Sequence, residues 1–153
     1  TEGQLAHIER QVALAREQGG KVLTGGRQPP GLGLTYYEPT IIDCPSPGLT
    51  IVDTELFGPV LSVLRFRTEA EAIALANQSV HGLAAGIFTL NGARQMRLAR
   101  ALRSGQVFLN NYGAGGGVEL PFGGSGLSGH GREKGFEALY GFTTLKTVAA
   151  YHG

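Results

Sequence analysis

Val60-Leu61-Ser62-Val63-Leu64-Arg65-Phe66, followed by Thr68-Glu69-Ala70-Glu71, is an apolar run that hands over to a helix start. A mostly apolar run of this length predicts a buried strand over Val60 to Phe66. Thr68, with Glu71 three residues later, predicts a capping box opening a helix that reaches Asn77. The alternation then repeats. Ala84 to Thr89 reads as a strand, Ala93 to Arg103 as a helix closed by Gly105, and Val107 to Asn110 as another strand. Strand and helix taking turns from 60 to 110 predict βαβ units, hence an α/β fold with a mostly parallel sheet and flanking helices.

The flanks are consistent with this. Leu5, Ile8 and Val12 recur on one face of a helix over Gln4 to Gln18, which Gly19-Gly20 stops. Lys21 to Thr24 reads as a short strand ended by Gly25-Gly26, residues 27–35 as a Pro/Gly-rich loop, and Tyr36 to Asp43 as extended chain. Pro45, Pro47 and Gly48 mark a turn. Residues 113–131 form a long glycine-rich loop, Arg132 to Tyr140 reads as helical, and Thr143 to Ala150 as a closing strand. No repeat and no splitting linker is visible.

Composition limits the function. The chain has 153 residues, enough for one modest core. A net charge of +1 gives no basis for a nucleic-acid or anionic-membrane partner. No apolar stretch is long enough to span a bilayer. The single cysteine excludes an internal disulfide framework and fits a reducing compartment, so a cytoplasmic location is expected. His7, His81, His130 and His152 are scattered, without metal-ligand spacing, so no metal site is expected.

Glu55-Leu56-Phe57-Gly58-Pro59-Val60 places a carboxylate and an aromatic ring two residues apart. In extended chain, positions i and i+2 share a face. Glu55 could accept hydrogen bonds from a diol such as a ribose while Phe57 packs on a flat heterocycle. The same spacing suits a turn with one core Phe and one solvated Glu. Downstream, Leu120-Pro121-Phe122-Gly123-Gly124-Ser125-Gly126-Leu127-Ser128-Gly129 runs into His130-Gly131-Arg132-Glu133-Lys134-Gly135. Between the two stretches lie Gly82-Leu83-Ala84-Ala85-Gly86 and Val107-Phe108-Leu109-Asn110.

Those four motifs, in that order, resemble the C-terminal third of the NAD(P)-dependent aldehyde dehydrogenases, with the likeness running from the Gln4 region to Leu145-Lys146-Thr147-Val148. The resemblance implies an enzyme that oxidises an aldehyde to a carboxylic acid through a thiohemiacetal on a Cys, with hydride passing to NAD or NADP and a Glu serving as base. It implies that Glu55 binds the nicotinamide-ribose hydroxyls, that Phe57 limits where the nicotinamide ring lies, and that Phe122 lines the aldehyde pocket. Asn110 matches a position close to the active site; as a residue it reads equally well as a structural Asn at a strand end. The nucleophilic Cys, the base and the oxyanion-hole Asn have no counterpart here, so no catalytic residue is expected in this chain. The resemblance further implies residues 1–142 as the C-terminal part of a catalytic domain and 143–153 as an oligomerisation strand and tail, giving a homodimer or homotetramer. Many relatives carry a Lys where this chain has Gly126. Two other readings keep the same residues: a non-catalytic oligomerisation module of this fold, or an unrelated nucleotide-binding α/β domain.

Three features invite stronger readings. Gly124 to Gly129 matches G-x-G-x-x-G, yet no apolar strand leads into it and no acid follows about 20 residues on, so a sharp turn beside a cavity is expected. Cys44, the only thiol, has Asp43 on one side and Pro45 on the other, a poor setting for a thiolate. Arg94, Arg97, Arg100 and Arg103 recur on one helix without interleaved aromatics, which predicts a solvated face.

Overall fold

Thr1 opens the first helix. Its hydroxyl accepts the Gln4 backbone N–H at 3.3 Å, capping α1, Glu2–Glu17, in this computed structural model, which describes residues 1–33, 35–111 and 117–153. Two compact units are present, Thr1–Ala72 and Ile73–Gly153, and the division falls inside a helix.

In the first unit, α1 buries Ile8, Val12 and Ala15, spaced four and three apart, while Leu5 is half-buried. Its end is a Schellman motif: Gly19 takes φ +92°, its N–H donates to Arg16 O at 3.1 Å, and Gly20 N–H donates to Ala15 O at 2.7 Å. The glycine pair thus ends the helix as expected. β1, Lys21–Thr24, pairs antiparallel with β2, Thr40–Asp43, which pairs in parallel with β3, Val60–Val63. A short helix, α2, Thr50–Asp53, lies between β2 and β3 in the chain. Ile8, Val12, Ala15, Ile42, Cys44, Leu49, Ile51 and Leu56 make one buried cluster. Full burial of such aliphatic side chains contributes about 1.5–3 kcal/mol each.

The β1–β2 connection is held at its base. The buried Thr40 hydroxyl accepts the Gly26 N–H at 2.8 Å and donates to Glu38 O at 2.7 Å. Arg27 pairs with Glu38 at 3.0 Å just beyond. β3 departs from expectation. Its apolar run predicts burial, but it is the edge of the order β1-β2-β3, stops at Val63, and leaves Leu61 59% exposed.

α3, Glu69–Gln78, crosses the division between the units. The Thr68 hydroxyl accepts Glu71 N–H at 3.1 Å, as a capping box requires, but the Glu71 carboxylate takes the Arg67 N–H at 2.7 Å instead of that of Thr68. In the second unit, β4, Ala84–Ile87, and β5, Gln106–Leu109, pair in parallel, and α4, Gly92–Ala101, connects them and packs on both. Asn91 caps α4 through Arg94 N–H at 2.9 Å. Its far end is not a glycine cap. Leu102 leaves in extended conformation, and Asn77 clamps the exit by donating to Ala101 O and accepting from Arg103 N–H, both at 2.8 Å. Gly105 serves close approach instead: a Cβ there would lie 1.7 Å from Gly123 O. Gly82 O accepts from both Gly105 N–H, at 2.9 Å, and Ser125 N–H, at 3.1 Å. Three passes of chain are thus held backbone to backbone.

The fold is α/β. Two of the three strand pairings are parallel, although the described strands form a three-stranded and a two-stranded sheet, not one. The helix expected from Arg132 begins only at α5, Glu137–Gly141, because Lys134 and Gly135 both take φ +62° and break the helical path. Residues 143–150 form no strand: a strand exists only as half of a ladder, and no edge among the described residues pairs with them. Part of the glycine-rich loop, 112–116, lies outside the described residues. Among those described, no helix is long and apolar enough to cross a membrane, and no cluster of His, Cys, Asp and Glu could hold a metal ion.

Candidate functional site

The Glu55–Phe57 segment follows α2 and is fixed by its middle residue. Leu56 turns inward and is 8% exposed within the core cluster, and its carbonyl accepts from the Gln4 side-chain amide of α1. Burying Leu56 sends its two neighbours outward, so Glu55 and Phe57 line one open cavity of about 410 Å³ together with Thr54, Val60 and Ser62. Phe57 is 80% exposed and takes φ +49°, a left-handed conformation that costs a non-glycine residue on the order of 1–3 kcal/mol. An exposed aromatic ring held in that conformation marks a segment shaped for something other than its own packing. Behind it, Gly58 sits against α1 so tightly that a Cβ would fall 2.3 Å from Ile8 Cδ1. A side chain there would force the buried Ile8 to repack or the segment to shift.

Phe122 belongs to a second cavity, in the second unit. Its backbone pairs with that of Glu133 through two 2.6 Å hydrogen bonds, Phe122 N–H to Glu133 O and Glu133 N–H to Phe122 O. The ring, 37% exposed, faces a cavity of about 230 Å³ whose wall also includes Gln106, Val107 and Phe108 of β5, with Gly117, Leu120, Pro121 and Lys134. Lys134 Nζ stands 5.5 Å from the ring centroid, within cation–π range. Neither Lys134 nor Gln106 was singled out from sequence. Lys134 reaches Phe122 only because residues 122 and 133 pair across the loop, and no local pattern announces that pairing.

Asn110 is placed differently. Its N–H donates to Ile87 O at 2.7 Å, its side-chain carbonyl accepts Thr89 N–H at 2.9 Å, and its side-chain NH₂ donates to Thr89 O at 3.1 Å. The amide extends the β4–β5 ladder past the end of the strands, with Asn110 itself at φ +52°. It does not line the Phe122 cavity. The structure therefore brings Glu55 and Phe57 together, gives Phe122 its own cavity, and engages Asn110 as a strand-end clasp.

Cys44 is buried, 3% exposed, with Sγ 3.7 Å from Ile42 O. Burial, and then the neighbouring Asp43 charge, pushes its thiol pKa up, the reverse of what a nucleophile needs. Gly124 to Gly129 follows no strand and opens no helix. It folds as turns, Ser128 N–H to Ser125 O and Gly129 N–H to Gly126 O, both 3.2 Å, and bridges to His81. It packs on residues 80–82 and does not itself line the Phe122 cavity. Arg94, Arg97, Arg100 and Arg103 occupy exposed positions on and just after α4.

Residues 1–148 match the aldehyde dehydrogenase family. The chain is 52% identical to a (Z)-2-((N-methylformamido)methylene)-5-hydroxybutyrolactone dehydrogenase of Acinetobacter baylyi, over 92% of this chain and 29% of that protein. It is 43% identical to the human 4-trimethylaminobutyraldehyde dehydrogenase, over 96% of this chain and 31% of that one. The fold superposes on a Mycobacterium tuberculosis aldehyde dehydrogenase complexed with NAD+ at a TM-score of 0.88 and 36% identity, covering 94% of this chain and 30% of that one. It also superposes on a P. syringae indole-3-acetaldehyde dehydrogenase complexed with NAD+ at a TM-score of 0.88 and 42% identity, covering 94% and 29%. The chain thus spans about 30% of the length of these relatives. With its motifs, its fold and a match across nearly its whole length in agreement, the chain belongs to the aldehyde dehydrogenase family.

Proposed function

We propose that this chain is the C-terminal portion of an NAD(P)-dependent aldehyde dehydrogenase, in which it positions the nicotinamide end of the cofactor and forms part of the aldehyde pocket. The observation that carries this reading is the inward Leu56, which sets Glu55 and Phe57 side by side on one open cavity. A carboxylate beside an exposed ring suits a ribose joined to a flat heterocycle, and the room there fits that pair. Relatives solved with NAD+ support the same assignment. Such a cofactor, when bound, supplies hydride acceptance. The rest is the work of side chains. Glu55 accepts hydrogen bonds from the ribose hydroxyls, Phe57 restricts sideways movement of the ring, and Phe122 shapes the space for the aldehyde. These are positioning contributions. Asn110 acts through the loop it anchors.

The only thiol here is buried and held neutral, so the nucleophilic Cys and the base Glu come from elsewhere in the parent enzyme. Residues 1–142 are proposed as catalytic-domain structure. Residues 143–153 are proposed as a strand that pairs with a second subunit, giving a homodimer or homotetramer. A cytoplasmic location goes with the reduced, buried Cys44. The test is aldehyde-dependent reduction of NAD or NADP by the complete parent enzyme, followed by cofactor absorbance across an aldehyde panel. Turnover is expected with at least one cofactor. A folded parent that reduces neither cofactor with any aldehyde, yet keeps its oligomeric state, would instead indicate a non-catalytic assembly module.

A further inference from the structure

Asn91-Gly92 is the one Asn-Gly step in the sequence, and it opens α4. Asn91 is exposed and acts as the helix cap. Its side-chain carbonyl accepts the Arg94 N–H at 2.9 Å, its backbone carbonyl accepts the Gln95 N–H at 3.0 Å, and its own N–H donates to Thr89 Oγ1 at 3.3 Å. Gly92 is exposed as well, and a Cβ built on it would meet nothing within 4 Å. The glycine is therefore demanded neither by packing nor by a left-handed φ. What it does is leave its own nitrogen unshielded beside a side-chain amide. That nitrogen is also one of the donors that a helix start leaves without an intrahelical partner, so the helix ladder does not restrain it.

The closed turn keeps the two groups apart. Asn91 takes φ −84° and ψ +103°. Ring closure between Gly92 N and Asn91 Cγ needs that nitrogen eclipsed with Cβ about the Cα–C bond. At ψ +103° it lies nearly opposite Cβ instead. Turning ψ far enough to bring them together carries the helix with it and breaks the bonds to Arg94 and Gln95. We infer that Asn91 is a deamidation site gated by α4, inert while the first turn is closed and modified when that turn opens. On opening, Gly92 N loses its proton to hydroxide and bonds to Asn91 Cγ, the Cγ–Nδ2 bond breaks, and ammonia leaves, giving a cyclic imide. Water then cleaves one of the two imide C–N bonds. Cleavage at Cγ restores the main chain with an aspartate at 91. Cleavage at the backbone carbonyl gives isoaspartate, whose main chain runs through Cβ and Cγ and is one methylene longer. The two products have opposite effects. Aspartate caps as well as asparagine, and its charge suits a helix start with no acid in its first turn. Isoaspartate displaces the carbonyl that receives the Gln95 N–H and loses the cap. Since α4 connects β4 to β5 and packs on both, that form loosens the second unit at its parallel pair. None of this draws on the dehydrogenase reading.

The experiment incubates the complete parent enzyme in mildly alkaline buffer, native and in urea, and follows peptides spanning residue 91 by mass spectrometry that resolves aspartate from isoaspartate. In urea, Asn91 should convert faster than Asn77, Asn110 or Asn111. In the native enzyme its conversion should be at least about tenfold slower, since only opened molecules react. Gly92→Ala, which the open space around Gly92 accommodates, should suppress conversion in both conditions and leave Tm no lower. Ala93→Gly, at an exposed position in the first turn, should speed native conversion about fivefold by weakening the turn, with the rate in urea unchanged. Equal rates in native and urea-unfolded enzyme overturn the gate. So does native conversion that Ala93→Gly does not accelerate, including one that stays undetectable in both proteins. An Asn91 that outlasts the other asparagines in urea, or that converts as fast in Gly92→Ala, overturns the site itself. Either failure leaves the dehydrogenase reading untouched.

Discussion

Residues 1–72 and 73–153 hold themselves together in different ways. The first unit is built around side chains: Ile8, Val12, Ala15, Ile42, Cys44, Leu49, Ile51 and Leu56 are buried in one cluster. In the second unit, Ile87 is the only apolar residue in the buried core among those described. Its order comes from backbone meeting backbone around Gly82, Gly105 and Gly123, while Phe88, Phe136, Leu139, Phe142, Leu145 and Val148 stand exposed. Apolar surface on that scale marks a region completed by something else. The first unit therefore has a side-chain core of its own, and the second is richer in exposed apolar surface than in buried core. The Glu55–Phe57 pair sits on the part with a core of its own, where positions can be held accurately.

The largest expected effect tests what completes the second unit. Deleting residues 143–153 from the parent enzyme should convert the proposed oligomer to monomer or aggregate, measured by light scattering, because the segment proposed to pair with the second subunit is gone and the edge it would cover is left open. An oligomer of unchanged mass would place the interface elsewhere and leave the exposed face of 136–148 without that explanation. Next, Ile42→Ala should cost about 2–5 kcal/mol by cavity formation in the first unit, whereas Leu145→Ala should weaken assembly without a comparable loss in a monomeric state. Denaturant unfolding at several protein concentrations separates these two outcomes. Glu55→Gln should follow, raising the cofactor KM, lowering kcat, or both, consistent with a charge-assisted hydrogen bond of about 1.5–3 kcal/mol. Unchanged cofactor kinetics would reduce Glu55 to a solvated turn residue. Phe122→Ala should shift kcat/KM between aromatic and short aliphatic aldehydes by about 1–3 kcal/mol. A collapse in Tm at fixed substrate ratios would make Phe122 part of the second unit's packing instead.

The smallest effect is on pH. Burial, with help from Asp43, raises the Cys44 pKa, and burial also raises that of Tyr37. Each group is neutral in the fold and ionises more readily in the unfolded chain. For Cys44 the contribution is fully present below the unfolded pKa of about 8.5 and is lost as pH rises through the higher folded value. Tm should therefore decline above about pH 8.5, and less steeply in Cys44→Ala, with Tyr37 carrying the remaining slope at higher pH. Identical slopes in the two proteins would show that Cys44 does not titrate with folding.

What could be read from sequence follows the range of the interactions. α1, its glycine stop, the start of α3 and α4 rest on contacts within a few residues, and β1, β4 and β5 show as short β-branched or apolar runs between turn signals, so all are legible, although the pairing partners of those strands lie about 20 residues away. Glu55 and Phe57 were legible as a pair because alternation around Leu56 is local. Leu61 departs from the expected burial because burial depends on what lies beyond β3, and no strand among the described residues pairs there. The end of α4 was misassigned to Gly105 because the actual clamp, Asn77, lies 24 residues before the carbonyl it binds. The helix expected from Arg132 failed at two left-handed residues, one of them a lysine, and composition gives no warning of that. The strand expected at 143–150 needs an edge to pair with, and no edge among the described residues supplies one.

The clasp at the base of the β1–β2 connection bears on how this protein can be handled. Thr40 joins Gly26 to Glu38, and Arg27 pairs with Glu38, so the chain leaves and re-enters the sheet at a closed neck while residues 30–33 stand exposed. Lengthening a loop whose ends are already joined costs only about 0.6 kcal/mol per doubling. A peptide epitope or a fluorophore-bearing segment spliced between Gly31 and Leu32 would hang outside that neck, giving a reporter attachment point that leaves the sheet register undisturbed.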